Sequence, residues 1–228
     1  MIKAIIFDFD GTISNRQMNA YTIFNDYFRK FFKDLDDLEY EAVLQDLLTD
    51  DCNGTINVRF RLAPFISKYK NYLPEGFEEE FIDFYYEYMW KYAVLKDETR
   101  DVLEKLKGKY KLAILSNGQS KSQHDKIDHV EVDEYFDEIL VSGDIGINKP
   151  DKRIFEHMAD KLEVKCEECL FVGDVFSSDI VGAIRAKMIP VWVVTDQERP
   201  SLYYQGYRIE KLDKLFSILD KENEVVTN

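Results

Sequence analysis

The chain has 228 residues, 45% of them hydrophobic, with a formal net charge of −14 at pH 7, which suits one large domain or a core with a smaller insertion. So acidic a chain is a poor match for a nucleic-acid backbone or an anionic membrane surface, and an enzyme of this composition acting on anionic substrates must concentrate positive potential locally. No stretch approaches the roughly 20 apolar residues needed to span a bilayer, Asp8 interrupts the only apolar run near the start, and Cys52, Cys166 and Cys169 are too few and too uneven for a disulfide framework, so a reducing, cytoplasmic setting is expected.

The opening residues MIKAIIFDFDGTIS read as a buried strand rich in Ile2, Ile5 and Ile6 that ends in two aspartates, Asp8 and Asp10. In an extended segment these two carboxylates share a face while Phe9 turns to the core. Like charges about 4 Å apart repel by about 4 kcal/mol at an effective dielectric near 20, so such a pair calls for a cation or a proton. Gly11 allows a sharp turn that presents backbone amides to an anion, with the Thr12 hydroxyl beside them. A strand-ending turn whose aspartates bond local amides is the plainer reading of the same string.

After Ser14 the period changes. Ile23, Tyr27 and Phe31, with Phe24, Phe28 and Phe32, recur every four positions and predict a helix over 19–32; further helices are expected over 35–48, 57–72 (or two pieces around Pro64) and 76–91, with a break at 51–54. Residues 15–95 thus read as an inserted α-helical cap domain between the first strand and the rest. The segment holds 19 of the chain's 32 Phe, Tyr and Trp residues. They serve either as core for a small helical unit or as a wall that stacks on a planar group such as a nucleobase.

From residue 96 onward helix and strand alternate. Helices are expected over 97–107, 119–129, 133–136, 151–162, 177–187 and 212–219, and strands over 110–115, 138–141, 169–172 and 191–194. That alternation predicts an α/β fold, a Rossmann-like parallel sheet core formed by 1–14 and 96–228. Ligands of such sheets bind beyond the carboxyl ends of the strands. Cys166 and Cys169 form a lone CxxC without a second pair or a nearby His and are expected to be free thiols. His124, His129 and His157 lack metal-ligand spacing and are given no role.

FDFDGTI resembles the first motif of the haloacid dehalogenase-like hydrolase superfamily, and three later strings resemble the others in order: Ser116-Asn117-Gly118 at the end of the strand at 110–115, Lys149-Pro150 after the loop 142–148, and Gly173-Asp174 with Asp179 at the end of the strand at 169–172. Taken alone, SNG reads as a turn, Lys149 as an exposed loop residue and Asp179 as a helix cap. The position of the insertion, between motifs one and two, resembles the helical-cap branch, with its phosphoglycolate phosphatase-like, phosphoglucomutase-like and pyrimidine nucleotidase-like members.

The resemblance implies a phosphatase that works through an aspartyl-phosphate. Asp8 is then the nucleophile and Asp10 the general acid and base. Lys149 offsets charge between Asp8 and the phosphate, and Thr12, Ser116 and Asn117 bind phosphoryl oxygens. Mg²⁺ is held by Asp8, the Asp10 carbonyl and Asp174, with Asp179 acting through water or orienting Lys149; all-oxygen ligation suits a hard cation. The substrate expected is a small phosphate ester, with a nucleoside monophosphate favoured by likeness to the nucleotidase-like members, and Arg16, Arg59 and Arg61 are the cap residues placed to contact it. A phosphomutase keeps every motif, a metal-independent dehalogenase lacks the second Asp of DxD, and a non-catalytic binding protein would have lost a motif residue. The chain is compatible with a monomer or a homodimer. It departs from the family pattern at Ala186-Lys187-Met188, where relatives usually carry Gly; a left-handed backbone there penalises Lys187 by roughly 1 kcal/mol.

Overall fold

The computed structural model describes residues 1–51, 57–194 and 201–224. The chain divides into two compact units, Asn15–Val94 and the pair of segments Met1–Ser14 and Leu95–Asn228.

The Asn15–Val94 unit is helical: α1 (Arg16–Phe28), α2 (Asp37–Asp50), α3 (Val58–Tyr69) and α4 (Phe77–Tyr88). Asp36 and Glu39 form a capping box that starts α2, the side chain of each bonding the other's backbone amide. Pro64 lies inside α3, which is one helix and not two pieces. The break expected at 51–54 falls, from residue 52 onward, outside the described residues. The aromatic residues mostly pack on one another: the Phe28 ring meets those of Phe24, Tyr27, Phe31, Phe65, Phe77 and Phe81 at centroid distances of 4.9–6.3 Å. These rings form the unit's core, as its small volume requires.

The other unit carries a six-stranded, all-parallel sheet: β1 (Ala4–Phe7), β2 (Lys111–Ser116), β3 (Glu138–Val141), β4 (Cys169–Gly173), β5 (Ile189–Val193) and β6 (Tyr207–Ile209), in the order β3-β2-β1-β4-β5-β6. The sheet is flanked in sequence by α5 (Thr99–Leu106), α6 (Ser120–His129), α7 (Ser142–Ile145), α8 (Lys152–Lys161), α9 (Val181–Arg185) and α10 (Leu215–Glu224). Alternate residues of the central strands, Ala4, Ile6, Ala113, Leu115, Cys169 and Phe171, pack with Ile154, Phe155 and Met158 of α8.

Several boundaries differ from expectation for local reasons. The helix expected over 177–187 begins as a π-helical turn, Phe176–Ile180, before α9. Strand β6 was not anticipated, because Tyr-Arg-Ile is too short to carry a period. The expected closing helix extends beyond 219 to Glu224. Cys166 and Cys169 are free, and burial pushes the Cys169 thiol up to about 12. Among the described residues no helix is long and apolar enough to cross a membrane.

Lys187 is exposed with φ of 62°. A left-handed residue with a Cβ costs about 1–2 kcal/mol, while glycine adds back about 0.5–1 kcal/mol of unfolded-state entropy. Lys187→Gly is therefore expected to stabilise the protein by about 0.5–1 kcal/mol, read as a higher urea midpoint at unchanged slope; an unchanged or lower midpoint contradicts the strain.

Candidate active site

The sheet register builds the site. Phe7, the last residue of β1, pairs with Ile114 of β2 on one side and Val172 of β4 on the other. Asp8 follows Phe7 directly, its amide donating to Val172 O at 2.8 Å, so Asp8, Ser116 and Asp174 lie along one carboxyl edge. That edge contains the point where the strand order reverses, between β1 and β4, where ligands of open parallel sheets bind. Gly11 passes so close to Asp174 that a Cβ there would sit 2.5 Å from its Oδ2, and its φ of 84° also excludes most side chains.

Asp8, Asp174 and Asp179 form a carboxylate cluster whose ligand oxygens lie within 4.8 Å of one another. Lys149, buried at 5% exposure, reaches into it with Nζ 2.6 Å from Asp8 Oδ1, 2.8 Å from Asp179 Oδ1 and 2.9 Å from Leu115 O. Burial opposes the ammonium, but Asp179 and Asp8 outweigh it and keep Lys149 charged. One cation cannot balance three carboxylates. Burial, together with Asp179 and Asp174, holds the Asp8 carboxyl well above its ordinary range despite Lys149, and burial beside Asp179 pushes Asp174 up to about 7. Asp174 Oδ1 is buried without a hydrogen-bond partner among the described residues. An all-oxygen set with surplus negative charge and an orphaned carboxylate oxygen fits a hard divalent cation.

The Asp10 carboxylate is not a member of the Asp8, Asp174 and Asp179 cluster and meets α6: Oδ2 is 2.8 Å from Lys126 Nζ and accepts from Gln123 Nε2 at 2.9 Å. The same Gln123 nitrogen donates to Ser116 Oγ at 2.7 Å. Gly118, at φ of 154°, leaves room for this, since a Cβ would fall 2.6 Å from Gln123 Cγ. Gln123 and Lys126 were missed in the sequence, although their spacing puts them on one helical face. Nothing in the run SKSQHDKIDH separates its two buried polar members from its exposed ones. Lys96 was missed as well; its Nζ donates to Gly11 O at 2.5 Å and its charge counteracts the rise at Asp174. Trp192 Nε1 donates to Asp174 O at 3.0 Å and fixes that residue's backbone.

The Thr12 side chain is fully buried, and its hydroxyl has no partner among the described residues. Asn117 uses both ends of its amide to clamp the Lys149 backbone, accepting from its N at 2.8 Å and donating to its O at 3.0 Å, so its side chain places Lys149. Asp179 also accepts from Val175 N at 2.9 Å. Within the helical unit, Arg16 and Arg61 are buried and both bind Asp51, while Arg59 is paired with Glu78 and Glu79. All three arginines are engaged in ion pairs.

A protein-family model described as haloacid dehalogenase-like hydrolase matches residues 2–187. The glyceraldehyde 3-phosphate phosphatase of Methanothermobacter thermautotrophicus is 33% identical over 131 residues, which are 55% of this chain and 58% of that protein; the match thus spans little over half of that relative. Pyrimidine 5'-nucleotidase YjjG of Escherichia coli is 27% identical over 95% of this chain and 97% of its own. Among solved structures, the HAD-hydrolase YfnB from Bacillus subtilis, crystallised bound to magnesium, superposes with a TM-score of 0.73 at 24% identity, covering 96% of this chain and 98% of that one.

Proposed function

The chain belongs to the haloacid dehalogenase-like hydrolases, and from that premise we propose that it hydrolyses small phosphomonoesters through a covalent intermediate on Asp8. The observation that carries this reading is the set of three close carboxylates around the buried ammonium of Lys149. The arrangement is anionic enough to require a divalent cation, yet holds one carboxylate aligned by a charged donor.

In this reading Asp8 Oδ attacks phosphorus as the bond to the leaving oxygen breaks. Asp10 gives its proton to that oxygen, then takes one from the water that attacks the aspartyl-phosphate and frees Asp8 and phosphate. Lys149 keeps positive charge beside Asp8, and the Ser116 hydroxyl with the backbone amides after β1 holds phosphoryl oxygens. Asp8, Asp174 and the Asp10 carbonyl would hold Mg²⁺, with Asp179 orienting Lys149. The ion supplies charge neutralisation on the transferring phosphoryl group. A reducing, cytoplasmic setting accords with the free Cys166 and Cys169.

The substrate class is a small phosphorylated metabolite. Relatives named for glyceraldehyde 3-phosphate and for pyrimidine nucleotides support this, and we place nucleoside monophosphates first. The test is inorganic phosphate release from a panel of nucleoside monophosphates, sugar phosphates and phosphoglycolate, with Mg²⁺ or with chelator. Magnesium-dependent release is expected. An isomerised sugar phosphate without free phosphate would turn the reading to a mutase, and no turnover of any ester would overturn it.

A further inference from the structure

We propose that Gln123 and Lys126 are positioning residues that dedicate Oδ2 of Asp10 to anchoring and so confine its transferable proton to Oδ1. The proposal rests on the phosphatase reading above and goes beyond it, since neither residue belongs to the motifs that carry the resemblance.

The geometry is specific. Two donors from successive turns of α6 converge on one oxygen, Lys126 Nζ at 2.8 Å and Gln123 Nε2 at 2.9 Å. Both side chains are buried, Gln123 at 3% exposure and Lys126 at 4%. Burying a lysine is unfavourable unless its charge is matched, so a solvated lysine on the outer face of α6 would have cost the fold less. An oxygen that already accepts from an ammonium and an amide has little capacity left to bear a proton, so protonated Asp10 carries its hydrogen on Oδ1. Gln123 adds a second constraint. Its nitrogen also donates to Ser116 Oγ at 2.7 Å, which ties the acid at the end of β1 to the phosphoryl-binding hydroxyl at the end of β2.

The step affected is balanced as follows. The bond from Asp8 oxygen to phosphorus forms as the bond from phosphorus to the alkoxy oxygen breaks, and the proton on Asp10 Oδ1 passes to that oxygen, giving the free alcohol and the Asp10 carboxylate. In the second step the carboxylate recovers a proton from water as the water oxygen bonds to phosphorus and the bond to Asp8 breaks. A misplaced Oδ1 harms the first step most when the leaving alcohol is a poor leaving group and must be protonated.

Leaving-group dependence is therefore the readout. We would measure kcat/KM, which reports steps up to release of the alcohol, for p-nitrophenyl phosphate and for the best alkyl ester of the panel, in the wild type, Lys126→Met and Gln123→Met. General acid catalysis is worth typically 10² to 10⁴. Lys126→Met is expected to lose about 30-fold on the alkyl ester and less than about threefold on the aryl ester, and Gln123→Met, which also frees the Ser116 hydroxyl, to lose about tenfold more on the alkyl ester than on the aryl one. Equal losses on both esters, or an alkyl loss below about threefold in a variant that melts like the wild type, would overturn the proposal. Should Lys126→Met not fold, Gln123→Met, which removes no charge, decides the question by the same criterion. Turnover of neither ester by the wild type would defeat the phosphatase reading together with this one, whereas wild-type turnover with equal losses in the variants defeats this one alone.

Discussion

Asp8→Asn is expected to abolish phosphate release, with kcat lowered at least about 10⁴-fold, and to leave the cation-free protein at least as stable as the wild type. The activity loss follows from chemistry: an amide oxygen is a far weaker nucleophile, and a 10⁴-fold loss corresponds to about 5.5 kcal/mol of barrier. The stability half follows from the electrostatics of the cluster. Burial, Asp179 and Asp174 all disfavour charge on Asp8, whereas an amide of the same shape still accepts from Lys149 Nζ, now 2.6 Å from Oδ1. Lys149 also keeps its ion pair with Asp179. Phosphate release assays and thermal melts in chelator check both halves. Wild-type-like turnover would remove the covalent mechanism, and a large drop in the cation-free melting temperature would contradict the reading of the cluster as over-charged.

The second large effect is on stability. Asp51→Ala is expected to destabilise the helical unit by about 3–5 kcal/mol. Asp51 is 3% exposed and receives two buried guanidiniums: Arg16 Nη2 lies 3.1 Å from Oδ1 and 2.9 Å from Oδ2, and Arg61 binds Oδ1. Arg16 Nη2 also donates to Tyr85 OH at 3.2 Å, and Arg61 lies over the Tyr85 ring. Removing the carboxylate leaves two like charges buried together. Arg59→Ala, which breaks only a solvent-exposed pairing with Glu78 and Glu79, should change stability little. Urea denaturation followed by helical circular dichroism compares the two. An Asp51→Ala midpoint close to wild type would mean that water reaches the arginines.

The contrast between these arginines also shows where sequence reasoning stops. Strand ends were legible because buried strands are continuous apolar runs that end in chemistry: Asp8 after AIIF, Ser116 after KLAIL, Asp174 after CLFVG. Lys149 was legible only through the resemblance, since a lysine in a loop carries no local sign that it is buried against two carboxylates. Arg16, Arg59 and Arg61 were grouped as one set, because residue type reports charge and not partner. Their partners, Asp51 and Glu78 with Glu79, are set by how α1, α2, α3 and α4 meet in space. The same limit hid Gln123 and Lys126, whose significance lies in facing Asp10 more than a hundred residues away in sequence. The fold class was recoverable from periodicity, whereas a three-residue strand such as β6 leaves no periodic trace.

The two ends of the helical insertion are held together by the backbone bonds that flank them. Ser14 and Leu95 form an antiparallel bridge, Lys96 N donates to Ile13 O at 3.1 Å, and Asn15 N donates to Val94 O at 2.8 Å. This bears on folding speed. Strand β1 must find β2, where Ile5 pairs with Leu112, across about a hundred residues of intervening chain. If the insertion folds first, its closed ends reduce that search to a loop of about thirty residues, easing closure by about 1 kcal/mol. Pulse-labelled amide exchange would then protect α1 and α4 before β1, so a segment that interrupts the sheet in sequence would act as the clip that hastens its assembly.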